Sequence, residues 1–200
     1  MAGMTSECPE FAATRGLHPV LSDRFSPLDF DAGSEVSDAE VDTLLDAARS
    51  APSAGNSQPW SFVVARRDDA VHRRVLPYLA SSSAGWAGRA GLLVVHLCHL
   101  FVEDTPDWPY SEFSHYDVGQ AAAYMTVQAL ALGLSVRQFR AFDRDGLARE
   151  FDVPDHWEVA TMSAYGIAGH GIGESLPGSR SRRSRADITW ARAGVATTRE

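Results

Sequence analysis

The stretch Ala47-Ala-Arg-Ser-Ala-Pro-Ser-Ala-Gly-Asn-Ser-Gln-Pro-Trp60 ends a helix, makes a loop of small residues and opens a strand. Upstream of it, Asp38 to Ser50 carries Val41, Leu44, Leu45 and Ala48 at helical spacing, the pattern of an amphipathic helix. Ser37 stands at the N-cap and Glu40 follows three residues on, the order of a capping box. Pro52 stops the helix, because the residue before a proline is pushed out of the α region. Trp60 to Ala65 reads as a strand. Between them, Ser53 to Gln58 has tiny side chains apart from the amides of Asn56 and Gln58. Such a loop lets the backbone approach a flat ligand, and the amides can bond the ligand's edge as donor and as acceptor. Taken alone, the same residues also describe an ordinary helix-to-strand connection.

Working outward, helices and strands alternate. Leu17 to Asp23 reads as a short helix and Pro27 to Gly33 as a loop or edge strand. Asp68 to Ala80 reads as a helix with Val71, Val75, Leu76 and Leu79 on one face. Gly91 to Cys98 is a short apolar run, which predicts a central strand buried on both faces. Glu103 to Pro109 is loop. Tyr116 to Leu132 is a long, nearly uncharged helix, read as buried all round and ended by Gly133. Ser135 to Phe139 is a strand, Asp143 to Phe151 a helix and Val159 to Ile167 a strand. Interleaving of this kind gives α+β or α/β. One domain over 17–190 is expected, with loose termini at 1–16 and 191–200.

Composition narrows the class. A chain of 200 residues can bury a real core as one domain, and 44% hydrophobic with 22% charged residues is globular. The net charge of −8 disfavours a nucleic-acid partner. Cys8 and Cys98 make neither a disulfide framework nor a metal set, so a reducing cytoplasm fits best. No apolar stretch approaches the roughly 18 residues that a membrane helix needs, and Met1 to Gly16 does not read as a secretory signal.

Four blocks, in order, resemble the flavin-dependent nitroreductase family. They are Leu21-Ser-Asp-Arg-Phe-Ser-Pro-Leu-Asp-Phe30; the Ala-Pro-Ser-Ala-Gly-Asn-Ser-Gln-Pro-Trp block; Tyr116-Asp-Val-Gly-Gln-Ala121 through Gln138-Phe-Arg-Ala-Phe-Asp143; and the basic tail from Arg180. The resemblance runs from about His18 to about Trp190. It implies the nitroreductase fold, an α+β sandwich whose central, mostly antiparallel sheet is flanked by helices, with the long helix at a dimer interface. It also implies a homodimer with two shared active sites, FMN as cofactor, and NADH or NADPH as hydride donor to a small-molecule acceptor.

The resemblance carries over residue by residue. Arg24, Phe25 and Ser26 match the phosphate-binding opening, and Arg180 and Arg182 match the tail's basic phosphate ligands by position, with Arg183 and Arg185 crowding the register. A dianionic phosphate suits several guanidinium groups. Pro52, Ser53 and Asn56 match positions that reach the flavin from the neighbouring subunit, and Ala54 and Gln58 of the same loop are expected cofactor-binding residues with them. Arg140 and Ala141 fall where the family presents a backbone N–H to the flavin's N5, and Gln138 is close by. No metal ligand is implied.

The departures concern the ring's edge. Leu28 stands where many relatives carry Arg or Lys, a loss that should lower the flavin's reduction potential unless Arg137 or Arg89 fills the role. Ser83 or Ala84 occupies a zone where relatives often have Asn. Phe101 to Tyr116 is rich in aromatics and can stack on flat substrates or pack at the dimer edge; His115 within it is a possible proton donor. No dinucleotide fingerprint is present, as expected where nicotinamide stacks directly on flavin. Three readings follow: ping-pong hydride transfer from NAD(P)H to a nitro compound, quinone or related metabolite; flavin-dependent oxidation of a metabolite; or a slow flavin-binding redox module.

Overall fold

A computed structural model describes residues 16–105, 107–170 and 181–193. Four strands make one sheet: β1 (Trp60–Arg66), β2 (Leu92–His99), β3 (Ser135–Phe139) and β4 (Trp157–Gly166). They lie in the order β1-β2-β4-β3, every pair antiparallel, with a register shift between His96 and Leu97. β2 and β4 are the inner strands. The apolar run of β2 is therefore covered on both faces, and Leu92, Leu93, Val94, Val95 and Cys98 are all buried. β3 is a short edge strand, with one side unpaired by any strand among the described residues.

Seven helices surround the sheet among the described residues: α1 (Pro19–Ser22), α2 (Asp38–Arg49), α3 (Ala70–Val75), α4 (Ser81–Ala87), α5 (Ser114–Ala131), α6 (Arg144–Glu150) and α7 (Arg185–Ile188). α2 starts at the expected capping box: Ser37 Oγ accepts from the Glu40 N–H at 3.3 Å, and the Ser37 N–H donates to Glu40 Oε2 at 2.7 Å. On one face of the sheet, Phe30, Val75, Leu79, Ala87, Phe142 and Leu147 pack on Leu93, Val95, Met162 and Ala164. On the other, Leu44 and Ala48 of α2 with Ala121, Met125 and Ala129 of α5 pack on Leu92, Val94, Val136 and Tyr165. That second face also holds a buried polar pair, His96 Nε2 to Ser163 Oγ at 2.8 Å. Burial pushes His96 down to about 4.

Two expectations need correction. Asp68 to Ala80 is not one helix: α3 is followed by a single 3₁₀ turn, Leu76–Tyr78, and then by extended backbone at Leu79. Pro77 is the reason, since it lacks an N–H and its ring clashes with the preceding turn. Val75 and Leu79 stay buried, but Leu76 is turned outward. Second, α5 is not buried all round. Val118, Ala121, Met125 and Ala129 face the sheet and α2, while Tyr116, Tyr124, Val127 and Leu132 are exposed in the single chain. A helix laid on one face of a sheet is covered by that sheet on one side only, however apolar its other side is.

The end of α5 is as expected. Gly133 has φ +80°, its N–H donates to Leu130 C=O at 3.1 Å, and the Leu134 N–H returns to Ala129 C=O at 2.9 Å. These are the paired bonds of a Schellman cap, and they deliver the chain directly into β3. Cys98 is buried and free, whereas Cys8 and the terminal segments 1–15 and 194–200 lie outside the described residues.

Candidate functional site

The small-residue loop before β1 is conformationally unusual. Gly55, Asn56 and Gln58 have φ of 60°, 58° and 47°, the left-handed region. Its bonds hold that shape. Ser53 Oγ accepts the Gln58 N–H at 3.0 Å, and Gln58 Nε2 donates to Asn56 C=O at 3.2 Å. The loop is tied to α5 by a carboxylate: the Ala54 N–H donates to Asp117 Oδ2 at 3.0 Å, and Gln120 Nε2 donates to Asp117 Oδ1 at 3.2 Å. Pro52, Ala54, Asn56 and Gln58 are exposed and Ser53 half-buried, so the loop offers its amides outward. Asp117 was not singled out from the sequence. Its signal is there: it is the one charged residue in the apolar stretch 116–132, and it is buried.

The Arg24 to Leu28 loop is tied elsewhere. Arg24 Nη1 donates to Ser26 Oγ at 3.4 Å, so the proposed phosphate pair is adjacent. Phe25 meets His170 edge-on at 6.2 Å between ring centroids, and the Leu28 N–H donates to His170 Nε2 at 3.1 Å. Pro27 C=O accepts from Arg137 Nη1 at 3.0 Å. Arg137 comes from β3, and its guanidinium lies 4.1 Å over the Trp86 ring.

The chain just after β3 is the third part. Ala141 C=O accepts from the Ala80 N–H at 3.1 Å and from the buried Ser83 hydroxyl. The Ala141 N–H has no acceptor among the described residues. Arg140 turns its side chain back, and its Nη1 donates to Ala160 C=O at 2.6 Å. Gln138 Nε2 donates to Thr126 Oγ1 on α5 at 3.1 Å; it is exposed rather than a buried structural amide. In the tail, Arg182 Nη1 donates to Ser181 C=O at 2.7 Å, and Arg180 lies outside the described residues.

Arg137 thus brings the first block to the edge strand, while the bonds of the 52–58 loop run to α5 and to Tyr110, whose hydroxyl donates to Ser57 C=O at 2.8 Å. Tyr110 is occupied twice, since its ring also stacks on His99 at 3.7 Å. Trp108, Phe113 and Tyr116 of the same segment stay exposed. His115 Nε2 sits 2.6 Å from Glu158 Oε1, and Arg144 Nη2 is 2.7 Å from Glu158 Oε2. A groove of about 460 Å³ runs between α2 and α5, lined by Thr43, Ala47, Tyr124 and Val127. It lies on the exposed face of α5, apart from the 24–28 and 138–141 segments.

The chain is similar to known proteins in sequence and in fold. The model of the nitroreductase family matches residues 21–97. A protein of Archaeoglobus fulgidus with a provisional NADH dehydrogenase/NAD(P)H nitroreductase name is 42% identical over 60 residues, 30% of this chain and 29% of that one. The major NAD(P)H-flavin oxidoreductase of Aliivibrio fischeri is 37% identical over 59 residues, 28% of this chain and 27% of that one. Each of these alignments therefore spans under a third of the curated relative. The structural likeness is much longer. A crystal structure described as an oxidoreductase containing FMN has TM-score 0.71 and 28% identity, covering 85% of this chain and 84% of the other. A nitroreductase family protein from Clostridium difficile 630 shares the fold at TM-score 0.69 and 21% identity, over 87% of this chain and 96% of that one. Over residues 21–97 in sequence, and over most of its length in fold, the chain is similar to the nitroreductase family.

Proposed function

We propose that this chain is an FMN-dependent oxidoreductase that takes hydride from NADH or NADPH and delivers it to a small flat acceptor such as a nitro compound or quinone, in a ping-pong cycle on a homodimer. One observation carries the reading. Around the edge strand β3 stand two donors that have no such partner among the described residues: the Ala141 N–H, without an acceptor, and the Arg137 guanidinium, without a carboxylate. They fit a group that offers a hydrogen-bond acceptor and gathers negative charge, as a flavin does. The family match and the FMN named for a structural relative support it.

FMN, when bound, supplies the two-electron chemistry at N5. The chain's residues bind and orient it. Arg24 and Ser26, with Arg180 and Arg182 of the tail, hold the phosphate through charge-assisted bonds. The Ala141 N–H, fixed because its own carbonyl is held by Ala80 and Ser83, donates toward N5. Phe25 and Gln138 are the further residues assigned to the cofactor. Pro52, Ser53, Ala54, Asn56 and Gln58 serve the partner subunit's flavin; the small Ser53 and Ala54 allow close approach, and the Asn56 and Gln58 amides bond its edge. The exposed rings of Trp108, Phe113 and Tyr116 suit stacking on a flat acceptor. Dimerisation has its own support in the apolar outer side of α5, where Tyr116, Tyr124, Val127 and Leu132 lie open.

The test begins with the purified protein, which is expected to be yellow with one non-covalent FMN per chain. A colourless protein that takes up no FMN on reconstitution ends the reading. Anaerobic stopped-flow mixing with NADH and NADPH then separates hydride transfer from the metabolite-oxidising and slow redox-module alternatives. Light scattering that shows a stable, fully loaded monomer removes the shared site.

A further inference from the structure

Six of the described arginines meet carboxylates, among them the half-buried Arg66, Arg67 and Arg144. Arg49 pairs with Asp46, Arg66 with Asp38, Arg74 with Glu150, Arg89 with Asp29 and Arg144 with Glu158. Arg137 is different. It is half-buried, and burial lowers its pKa from the ordinary arginine value. Yet no carboxylate lies within ion-pair distance of it among the described residues, although the chain has 26 acidic residues to offer. Its contacts are neutral: Pro27 C=O at 3.0 Å and the Trp86 face at 4.1 Å. Desolvating a cation without a counter-ion is costly, and it persists where a ligand supplies the charge.

The position of Arg137 says which ligand edge. Its bond to Pro27 C=O places the guanidinium at the residue next to Leu28, whose own N–H is fixed by His170. Trp86 supports the guanidinium from beneath and is itself braced by Phe139 at 4.7 Å. Only one of the guanidinium's several N–H donors is spent on Pro27, so the rest remain for a ligand. The rival cation, Arg89, is already neutralised: its Nε lies 3.2 Å from both Asp29 Oδ1 and Phe30 C=O.

We propose that Arg137 supplies, from β3, the positive charge at the flavin's pyrimidine edge that Leu28 does not supply from the first loop. The inference rests on the FMN reading above. A fixed cation there favours the form of the ring that carries the extra electron density, and so raises the reduction potential. The departure at Leu28 is then a relocation of the charge and not its loss.

The experiment measures the FMN midpoint potential and the affinity for oxidised FMN in wild type, R137Q and R137K. R137Q is expected to lose about tenfold or more in its preference for reduced over oxidised FMN, a midpoint lower by about 30 mV for a two-electron couple. Oxidised FMN should stay bound. R137K should recover most of the shift, which a merely structural side chain would not do. R137Q at the wild-type midpoint with FMN bound overturns the assignment. If R137Q folds but does not hold FMN, L28R/R137Q decides: recovery of FMN and of the midpoint supports the relocation, and no recovery overturns it. A wild-type protein that takes up no FMN is a separate result, and it removes the proposed function itself.

Discussion

Two loops frame the candidate site, and each is held by one charged side chain from a distant element. Asp117 of α5 holds the 52–58 loop by accepting a backbone N–H; Arg137 of β3 holds the 24–28 loop by donating to a backbone C=O. The difference lies in what is left over. Both oxygens of Asp117 are engaged, one by Ala54 and one by Gln120, and the residue is buried. Arg137 spends one N–H and sits over an aromatic face, with donors remaining. A saturated charge stabilises shape, whereas an unsaturated one at a site edge is available to a ligand. The contrast separates a structural anchor from a binding group when the sequence shows only two ionisable residues.

The largest expected effect breaks the anchor. Asp117→Ala removes both bonds and leaves the Ala54 N–H unmatched. At about 1.5–3 kcal/mol for each bond to a charged group, the loss is about 4 kcal/mol. R137Q, which gives up one neutral-acceptor bond and a cation–π contact while relieving desolvation, should change stability by about 1 kcal/mol or less. Urea unfolding of both variants checks this, and equal losses would erase the distinction between the loops.

Acid should act next, through the floor beneath α5. His96 is depressed to about 4 by burial, while the unfolded chain titrates at the ordinary histidine value of about 6.5. Below about pH 6.5 the unfolded state binds the proton first, so stability is full above that value and declines as pH falls toward 4. The shift corresponds to about 3 kcal/mol at most. Unfolding measured across pH 4–8 should show this slope, and His96→Gln should flatten it. The 52–58 loop, carried by α5, should loosen before the 24–28 loop, which hydrogen exchange at Ala54 and Leu28 can compare.

What could be read in advance follows the range of the physics. The capping box at Ser37 and Glu40 and the Gly133 cap are local, involve residues within a few positions, and stand where the spacing put them. The β2 run needed only its lack of alternation. The difference at Leu76 comes from Pro77, which interrupts a pattern that looks continuous, and the outer side of α5 is open in the single chain because the sheet covers only its inner side. Asp117 escaped notice because its partner, Ala54, is 63 residues away and only the packing of α5 joins them. Whether Arg137 or Arg89 was the free cation could not be read at all. That depends on Asp29 reaching Arg89 in space.

The phosphate end tests whether the 24–28 loop is a binding loop beyond Arg137. Arg24→Ala and Arg182→Ala should each weaken FMN by about 1.5–3 kcal/mol, one to two decades in dissociation constant. Fluorescence titration of apoprotein with FMN measures this. Wild-type affinity in both variants would move the tail's role to Arg180 or Arg185. Wild-type affinity in Arg24→Ala alone would detach the first loop from the phosphate and leave it only the ring edge.

The smallest effect concerns how the other loop keeps its shape. Gly55 has φ 60° and ψ 17°, and nothing within 4 Å would meet a side chain there. Gly55→Ala therefore makes no clash and isolates backbone strain, roughly 1–2 kcal/mol for a left-handed residue with a Cβ. Asn56 and Gln58 already bear that strain at φ 58° and 47°, so replacing Gln58 by Gly should return about 1 kcal/mol. The two substitutions have opposite signs if Asp117 holds the loop left-handed against its own preference. Urea midpoints in wild-type and Asp117→Ala backgrounds decide it. Without the anchor the loop can relax, and both effects should shrink together. Effects of unchanged size in the Asp117→Ala background would mean that the loop holds itself, through Ser53 and Gln58, and that the carboxylate positions it without shaping it.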